Sequence, residues 1–226
     1  MAKTIITLGR EYCTGGRYIA KDVARALGIK LYDKELITMA AKNSGLSEEA
    51  VAASEKRHTH SLLYSLYTMG NDLPLGDQVF ILQSRIIKQL ADEGPCVIVG
   101  RCANFILKGR PNLFSVFLHA DRTTRMQRVI ENYGVEPGGA ARAMDIMDSR
   151  RRTHCLHYTG QELGNARLYD LCVNTSDYGL ERTVELILEA INTRTEQSSS
   201  VETVPVRSAS FPEPEAGSIP GEISLA

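Results

Sequence analysis

The stretch TIITLGREYCTGGRYIAKDVARALG, residues 4–28, decides the fold. Residues 4–8 form a short β-branched, apolar run, which is the pattern of a buried strand. The pair Gly15-Gly16 follows, and apolar residues then recur at helical spacing up to Gly28, a residue type that commonly ends a helix. A glycine-containing turn between a strand and a helix can direct backbone N–H groups at a phosphate. Taken alone, the two glycines suit an ordinary strand–helix connection equally well.

The same alternation of strand and helix patterns continues along the chain. Four more short apolar runs predict strands, at residues 29–32, 96–99, 113–118 and 171–174. Helical spacing predicts helices at 36–41, 47–56, 79–93, from 121 onward and at 180–191, whereas residues 58–76 fit neither pattern. Strands separated by helices are typical of βαβ units, so we predict an α/β fold with a parallel sheet of about five strands. The glycine turn should lie at the carboxyl end of its strand.

Composition excludes several classes of protein. The 226 residues are 43% hydrophobic and 23% charged, as in an ordinary globular domain, and the formal net charge is -1. No bulk positive charge therefore favours binding to nucleic acid or to a membrane surface. No run approaches the roughly 20 apolar residues of a membrane helix, and the first residues lack the apolar core of a signal peptide. The five cysteines are an odd number without a C-x-x-C pair, which favours reduced thiols and a cytoplasmic protein.

The composition changes near residue 195. The segment 195–226 is rich in Ser, Pro and Glu and shows no periodicity. Such a segment cannot bury enough apolar surface to offset the entropy of ordering. We therefore expect one domain, residues 1–194, followed by a disordered tail.

The glycine turn departs from the Walker A pattern G-x-x-x-x-G-K-[ST]. Aligned on the helix, Arg10 stands at the first glycine, Gly15 at the second and Gly16 at the lysine. Arg17 follows at once and can replace the lysine through bidentate contacts to phosphate oxygens, with Arg10 as the second candidate. Because no Ser or Thr comes directly after it, we expect any magnesium ion here to be held by phosphate oxygens and water.

Several blocks of the chain resemble the cytidylate kinase-like family, and they occur in the same order. The opening stretch is similar to that family's S-R-E-x-G-S-G-G-R-x-I-A run, with Cys13 and Thr14 in place of Gly and Ser. YDKELI, VGRCANFIL, DSRRRTHCLHYTG and YDLCVNTS are also similar to later blocks, so the resemblance covers about residues 3–191. It implies a P-loop fold of the three-layer α/β type, with a helical acceptor-binding region and a lid at about residues 137–168. It also implies ATP and Mg²⁺ as cofactors and a nucleoside monophosphate as acceptor, with CMP or dCMP leading.

The resemblance also implies which residues contact the phosphate donor. These candidates are Arg10, Thr14, Gly15, Gly16, Arg17 and Tyr18. The arginine run at 150–152 could form a solvated helix face, but the resemblance places it in the lid. Lid arginines neutralise the charge of the transferring phosphoryl group. The candidate catalytic residues are therefore Arg151 and Arg152 of the lid, together with Arg17 of the glycine turn.

Two residues that follow strands are candidates for the acceptor site. Asp33 and Arg101 lie at the rim where α/β sheets bind ligands, and the resemblance implies that both contact the acceptor. Asp33 is equally well placed to cap the next helix, and Arg101 could have a structural role. Lys34 and Cys102 stand where the family carries Ser and Asp, which alters the base-recognition region. The remaining substrate-binding candidates are Tyr158 and Arg167.

Three functions fit these residues. The first is ATP-dependent phosphoryl transfer to a nucleoside monophosphate, which needs no general base because a phosphate oxygen is already an anionic nucleophile. The second is a nucleotide-binding sensor or scaffold with little catalysis, which the missing Walker lysine favours. The third is a kinase of another small phosphate acceptor, which Lys34 and Cys102 favour. The sequence predicts nucleotide partners, no nucleic-acid or membrane partner and no metal held by the protein, and it is compatible with an oligomer.

Overall fold

The computed structural model describes residues 4–33, 39 and 74–200. The helices predicted at 36–41 and 47–56 lie outside the described residues apart from residue 39, and so does most of the ambiguous segment. Residues 201–226 of the predicted tail lie outside them as well.

In this part of the chain, five strands form one parallel sheet in the order β2-β3-β1-β4-β5. Their bounds are β1 Ile5–Arg10, β2 Lys30–Tyr32, β3 Cys96–Val99, β4 Leu113–His119 and β5 Leu171–Asn174. The predicted parallel sheet is confirmed. Because β1 lies between β3 and β4, the chain winds to opposite sides of β1 in its two halves. The topological switch point, where open α/β sheets bind ligands, therefore falls at the carboxyl end of β1.

Helices cover both faces of the sheet. The described helices are α1 Gly16–Leu27, α2 Leu75–Glu93, α3 Ala103–Ile106, α4 Arg122–Tyr133, α5 Pro137–Thr159 and α6 Gly179–Ser200, with a 3₁₀ turn at Ala166–Leu168. Successive side chains of β1 point to opposite faces, so Ile6 and Leu8 pack against α1 and α6 whereas Ile5 packs against α2. The result is the three-layer sandwich that the resemblance implies. No helix among these residues is long and apolar enough to span a membrane.

The glycine turn lies at the carboxyl end of β1, as the sequence predicts. Gly15 has a φ of 80°, in the left-handed region, and caps the start of α1. A Cβ atom at Gly15 would lie 2.3 Å from Cδ2 of Leu180, a residue of α6. A side chain at this position would therefore have to displace the side chain of Leu180.

Helix α6 continues to Ser200, beyond the change in composition near residue 195 at which the sequence places the start of the tail. The hydroxyl of Thr195 donates a hydrogen bond to the Ile191 carbonyl, one turn earlier in the same helix. Arg194 donates to the Leu113 carbonyl at 2.8 Å, so it anchors this last part of α6 to the start of β4. The segment is polar and lacks hydrophobic periodicity, so the sequence pattern did not indicate these contacts.

Gly15→Ala should destabilise the protein strongly, by about 3 kcal/mol or more, because it combines a left-handed backbone with overpacking against Leu180. Gly28→Ala is the matched control, since Gly28 has a φ of 64° but nothing within 4 Å of its Cβ position. We expect that control to cost only about 1 kcal/mol. Urea denaturation of both variants measures the difference, and equal losses would show that the contact with Leu180 has no consequence.

Candidate active site

A cavity of about 310 Å³ lies at the switch point, between the carboxyl ends of β1 and β3 and the inner side of α5. It is lined by Thr7, Leu8, Gly9, Arg10, Gly100, Arg101, Cys102, Asn104, Met147, Arg150, Arg151, His154, Cys155, Leu163 and Tyr169. Four of these residues are arginines, and none of the described lining residues is an Asp or a Glu. The cavity is therefore suited to a ligand with several negative charges.

Two of the four arginines are largely removed from water. Burial lowers the pKa of Arg10 to about 9, the neighbouring Arg151 acts in the same direction, and Asp33 opposes the shift. Burial also lowers the pKa of Arg151, whose Nη1 donates to the Arg10 carbonyl at 3.2 Å. Both guanidinium groups stay charged at neutral pH, but each has lost hydration that an anionic ligand could replace.

The backbone after β3 is shaped for this arrangement. Gly100, Arg101 and Cys102 have φ angles of 78°, 56° and 54°, so three successive residues occupy the left-handed region. A non-glycine residue there costs of the order of 1 kcal/mol, and such strain often occurs at functional sites. At Gly100 a Cβ atom would lie 2.2 Å from Nη1 of Arg10. The missing side chain lets the Arg10 guanidinium lie across this turn.

Asp33, at the end of β2, connects the two candidates for the missing lysine. Its Oδ2 accepts a hydrogen bond from Nε of Arg17 at 2.6 Å, and its Oδ1 lies 3.7 Å from Nη2 of Arg10. The side chain of Arg17 is 52% exposed, so it can leave this pair for an incoming anion. Asp33 therefore holds both arginines beside the glycine turn.

Not every candidate of the turn presents its side chain to a ligand. Thr14 is buried, and its hydroxyl donates to the Glu11 carbonyl at 3.2 Å, so the side chain is turned into the loop. Tyr18 is 55% exposed on the first turn of α1. Gly15 and Gly16 bring the backbone of the turn to the start of α1 without any side chain.

The lid candidates fall into separate places. Arg151 lines the central cavity, whereas Arg152 lines a second cavity of about 370 Å³ beside Glu11 and Asp148. Adjacent residues on a helix point about 100° apart, which explains the divergence. Arg150 joins Arg151 in the central cavity, although the sequence analysis did not select it.

The two second-rank substrate candidates do not line the central cavity. Tyr158 stacks on Phe80 of α2, with ring centroids 4.1 Å apart and an interplanar angle of 7°. Arg167 is exposed in the 3₁₀ turn. In this arrangement Tyr158 packs α5 against α2.

The glycine turn is held by residues that the sequence pattern does not indicate. Asp148 of α5 accepts from the Tyr12 backbone N–H at 2.7 Å and from Nη1 of Arg125 at 2.5 Å. The Arg125 side chain is only 9% exposed, and its Nε has no hydrogen-bond partner but lies 3.6 Å from Oε2 of Glu11. This network joins α4, α5 and the turn.

A second anchor holds the other side of the turn. Arg128 donates to the hydroxyl and the carbonyl of Thr175, after β5, at 2.9 and 3.1 Å. The Thr175 hydroxyl in turn donates to the Thr14 carbonyl at 2.9 Å. The only sequence signal for these anchors is the spacing of Arg122, Arg125 and Arg128 at every third residue, which places them near one face of α4.

The parallel sheet, the glycine turn at the switch point and the cluster of arginines define a P-loop kinase type of protein. The model of the "Cytidylate kinase-like family" matches residues 5–177, and the chain belongs to that family. The resemblance seen in the sequence is therefore confirmed.

The individual cytidylate kinases to which the chain is similar are distant from it in sequence. The chain is 25% identical to a cytidylate kinase of Pyrococcus horikoshii over 191 residues, covering 84% of this chain and 89% of that protein. It is 23% identical to a cytidylate kinase of Thermoplasma volcanium, covering 83% of this chain and 90% of that protein. Family membership supports a nucleotide kinase activity, and these identities leave the acceptor open.

Solved structures support the same fold. An uncharacterised protein of Eubacterium ventriosum is similar with a TM-score of 0.67 and 29% identity, covering 84% of this chain and 99% of that chain. A gluconokinase of Sinorhizobium meliloti shares the fold with a TM-score of 0.53 and 13% identity, covering 89% and 98% of the two chains. Over residues 4–33, 39 and 74–200, no group of three or more His, Cys, Asp and Glu side chains is placed to hold a metal ion.

Arg125→Ala should destabilise the protein by about 3–5 kcal/mol, because it leaves the buried Asp148 without its cation. Arg122→Ala is the control on the same helix, since it breaks only the exposed pair with Asp145 and should leave the melting temperature nearly unchanged. Calorimetric melting of both variants makes the comparison. Equal melting temperatures would mean that the buried pair contributes no more than the exposed one.

Proposed function

We propose that this protein transfers the γ-phosphoryl group of ATP to a nucleoside monophosphate, with CMP or dCMP as the leading acceptor. The observation that carries the proposal is the convergence of Arg10, Arg101, Arg150 and Arg151 on one cavity next to the glycine turn. Two of these guanidinium groups, Arg10 and Arg151, are desolvated. Phosphoryl transfer needs this kind of preorganised positive charge and little covalent chemistry from the protein.

The donor side of the site is the glycine turn and the start of α1. A helix N-terminus and its free N–H groups favour phosphate oxygens, and Gly15 and Gly16 allow a close backbone approach. Arg17 takes the role of the Walker lysine, released from Asp33 when the nucleotide binds. A magnesium ion bound with the nucleotide would neutralise charge at the phosphates, and Asp33, which pairs with Arg17, would be the carboxylate that contacts the water around it.

The acceptor side is the wall formed by the residues after β3. Arg101 binds the acceptor phosphate, whose own oxygen is the nucleophile, so no residue needs to remove a proton. Arg150 and Arg151 approach from α5 and neutralise the charge on the transferring group. Positioning and electrostatics account for the catalysis that this site can provide.

A kinase of another small phosphate acceptor is the second candidate. Among the described lining residues no carboxylate is available to accept a hydrogen bond from an amino group of a base. Cys102 stands at the position where the family pattern carries an Asp. Relatives named cytidylate kinases favour the first candidate.

A coupled assay of ADP release across a panel of nucleoside monophosphates, with ATP and Mg²⁺, tests the proposal directly. CMP or dCMP should give the highest kcat/KM. If ATP binds by calorimetry but no monophosphate in the panel is phosphorylated, transfer to a nucleoside monophosphate is ruled out, and a nucleotide-binding module or a kinase of another acceptor takes its place.

Arg17→Ala should lower kcat/KM for ATP by about 10²-fold, because Arg17 is the cation nearest the start of α1. Arg17→Lys should recover part of the loss, since it restores a charge without the fork of the guanidinium. Steady-state kinetics with ATP as the varied substrate measure both variants. Unchanged kinetics in Arg17→Ala would transfer the role to Arg10.

Single and double alanine variants distinguish the roles of Arg151 and Arg152. We expect Arg151→Ala to lower kcat by about 10²–10³-fold with little change in ATP affinity, since it lines the central cavity. Arg152→Ala should cost less, because its side chain lines the second cavity, and the double variant should nearly abolish transfer. Single-turnover transfer and calorimetric titration with ATP separate the two effects. A larger loss in Arg152→Ala than in Arg151→Ala would contradict the assignment.

A further inference from the structure

Two of the five cysteines meet in the central cavity. Cys102 caps the start of α3 directly after β3, and Cys155 lies on α5, on the opposite wall of the cavity. The other three are in different surroundings: Cys13 is in the glycine turn, Cys96 is at the start of β3, and Cys172 is exposed on β5. The pair therefore bridges the sheet and the helix that carries the lid arginines.

The side chains of Cys102 and Cys155 are hydrogen-bonded to each other in this cavity. This hydrogen bond lowers the pKa of Cys155 and raises the pKa of Cys102. The Cys155 Sγ also lies 3.6 Å from the Thr159 hydroxyl. By contrast, burial raises the pKa of both Cys13 and Cys96 to about 11. Of these described thiols, Cys155 is the one whose surroundings favour the reactive thiolate.

The charge and shape of the cavity support the same reactivity. Four arginines line the space that contains the two sulfur atoms, and positive charge stabilises a thiolate. Cys155 is buried and Cys102 is partly exposed, but both face the cavity of about 310 Å³, which admits a molecule as small as hydrogen peroxide. A second thiol next to a thiolate is the arrangement in which oxidation ends in a disulfide.

We propose that Cys102 and Cys155 form a site of reversible oxidation, at which a peroxide converts the two thiols into a disulfide that ties α5 to the end of β3. The Cys155 thiolate attacks one peroxide oxygen, the O–O bond breaks, and the hydroxide that leaves takes up a proton to give water. The Cys102 sulfur then attacks the resulting sulfenic acid, the S–S bond forms, and a second water leaves with the Cys102 proton. Two thiols lose two electrons in total, and the peroxide is reduced to two waters.

The disulfide has a mechanical consequence. It fixes the side of α5 that carries Arg151 against the wall that carries Arg101, so the cavity cannot widen between them. If the protein is the kinase proposed above, the acceptor enters through this space, and oxidation blocks transfer until a thiol reductant restores the pair. This consequence rests on the proposed function, whereas the chemistry of the pair does not.

Tryptic mapping tests the chemistry without any nucleotide. Cleavage after Lys and Arg places each of the five cysteines in its own peptide, with Cys102 in CANFILK and Cys155 in THCLHYTGQELGNAR. The full chain is treated with a few equivalents of hydrogen peroxide, quenched with an alkylating agent, digested without reductant and analysed by mass spectrometry. We expect one dominant linked species that joins these two peptides and that disappears after treatment with dithiothreitol.

Three serine variants sharpen the result. Cys102→Ser and Cys155→Ser should each abolish the linked species, whereas Cys172→Ser, at an exposed thiol, should leave it unchanged. The linked form should also melt roughly 5 °C higher than the reduced form, because the bond closes a loop of chain between the two residues. Wild-type protein in which Cys102 and Cys155 are still alkylated while the Cys172 peptide is oxidised would overturn the proposal. So would oxidation of Cys155 to a sulfinic acid without any link.

A separate arm measures transfer. Activity of the peroxide-treated wild type should fall about tenfold or more and return with dithiothreitol. In Cys102→Ser, peroxide should not produce this reversible loss. If the reduced protein phosphorylates nothing, the proposed function fails, but the peptide map still decides whether the thiol pair is an oxidation site.

Discussion

The arrangement of the site depends on one buried ion pair, between Arg125 of α4 and Asp148 of α5. Each charge would be costly to bury alone, and each is acceptable because the other is beside it. Asp148 also accepts the Tyr12 backbone N–H, so the same carboxylate fixes the glycine turn. The helix that carries Arg151 and Arg152 is thus linked to the turn that would bind phosphate. A movement of α5 that broke this pair would also strain the hydrogen bond from Tyr12 to Asp148, while the anchor through Arg128 and Thr175 would remain.

Around this anchor the protein keeps several positive charges closer than they would lie in water. Arg10 and Arg151 both line the same cavity and are partly buried, and their mutual repulsion contributes to the lowered pKa of Arg10. The strained backbone at Arg101, the missing side chain at Gly100 and the carboxylate of Asp33 hold the group in place. This strain and charge repulsion lower the stability of the folded protein when no ligand is bound. An anionic ligand binds more favourably in return, because the positive charges are already in place and need not reorganise.

The sequence predicted the sheet, its helices and the position of the glycine turn, because these follow from local periodicity and from the way parallel strands connect. It also placed Asp33 and Arg101 at one rim of the sheet, since each stands just after the carboxyl end of a strand. Arg125 and Asp148 were missed because a buried pair 23 positions apart depends on how two helices pack. The different places of Arg151 and Arg152 depend on the rotation of α5, which a run of identical residues cannot reveal.

The packing of the turn also explains why its cation is not at the Walker lysine position. Gly16 stands at that position, and a Cβ atom there would lie 3.2 Å from Leu8 and 3.4 Å from both Arg10 and Leu118. A side chain at this point would require the side chains of Leu8, Arg10 and Leu118 to move by a few tenths of an ångström. In this chain the Arg10 side chain already occupies the space from the strand side. Arg17 stands one residue later, where its side chain is half exposed and pairs with Asp33. The packing around Gly16 therefore favours a glycine at the lysine position and leaves Arg10 and Arg17 as the two cations beside the turn.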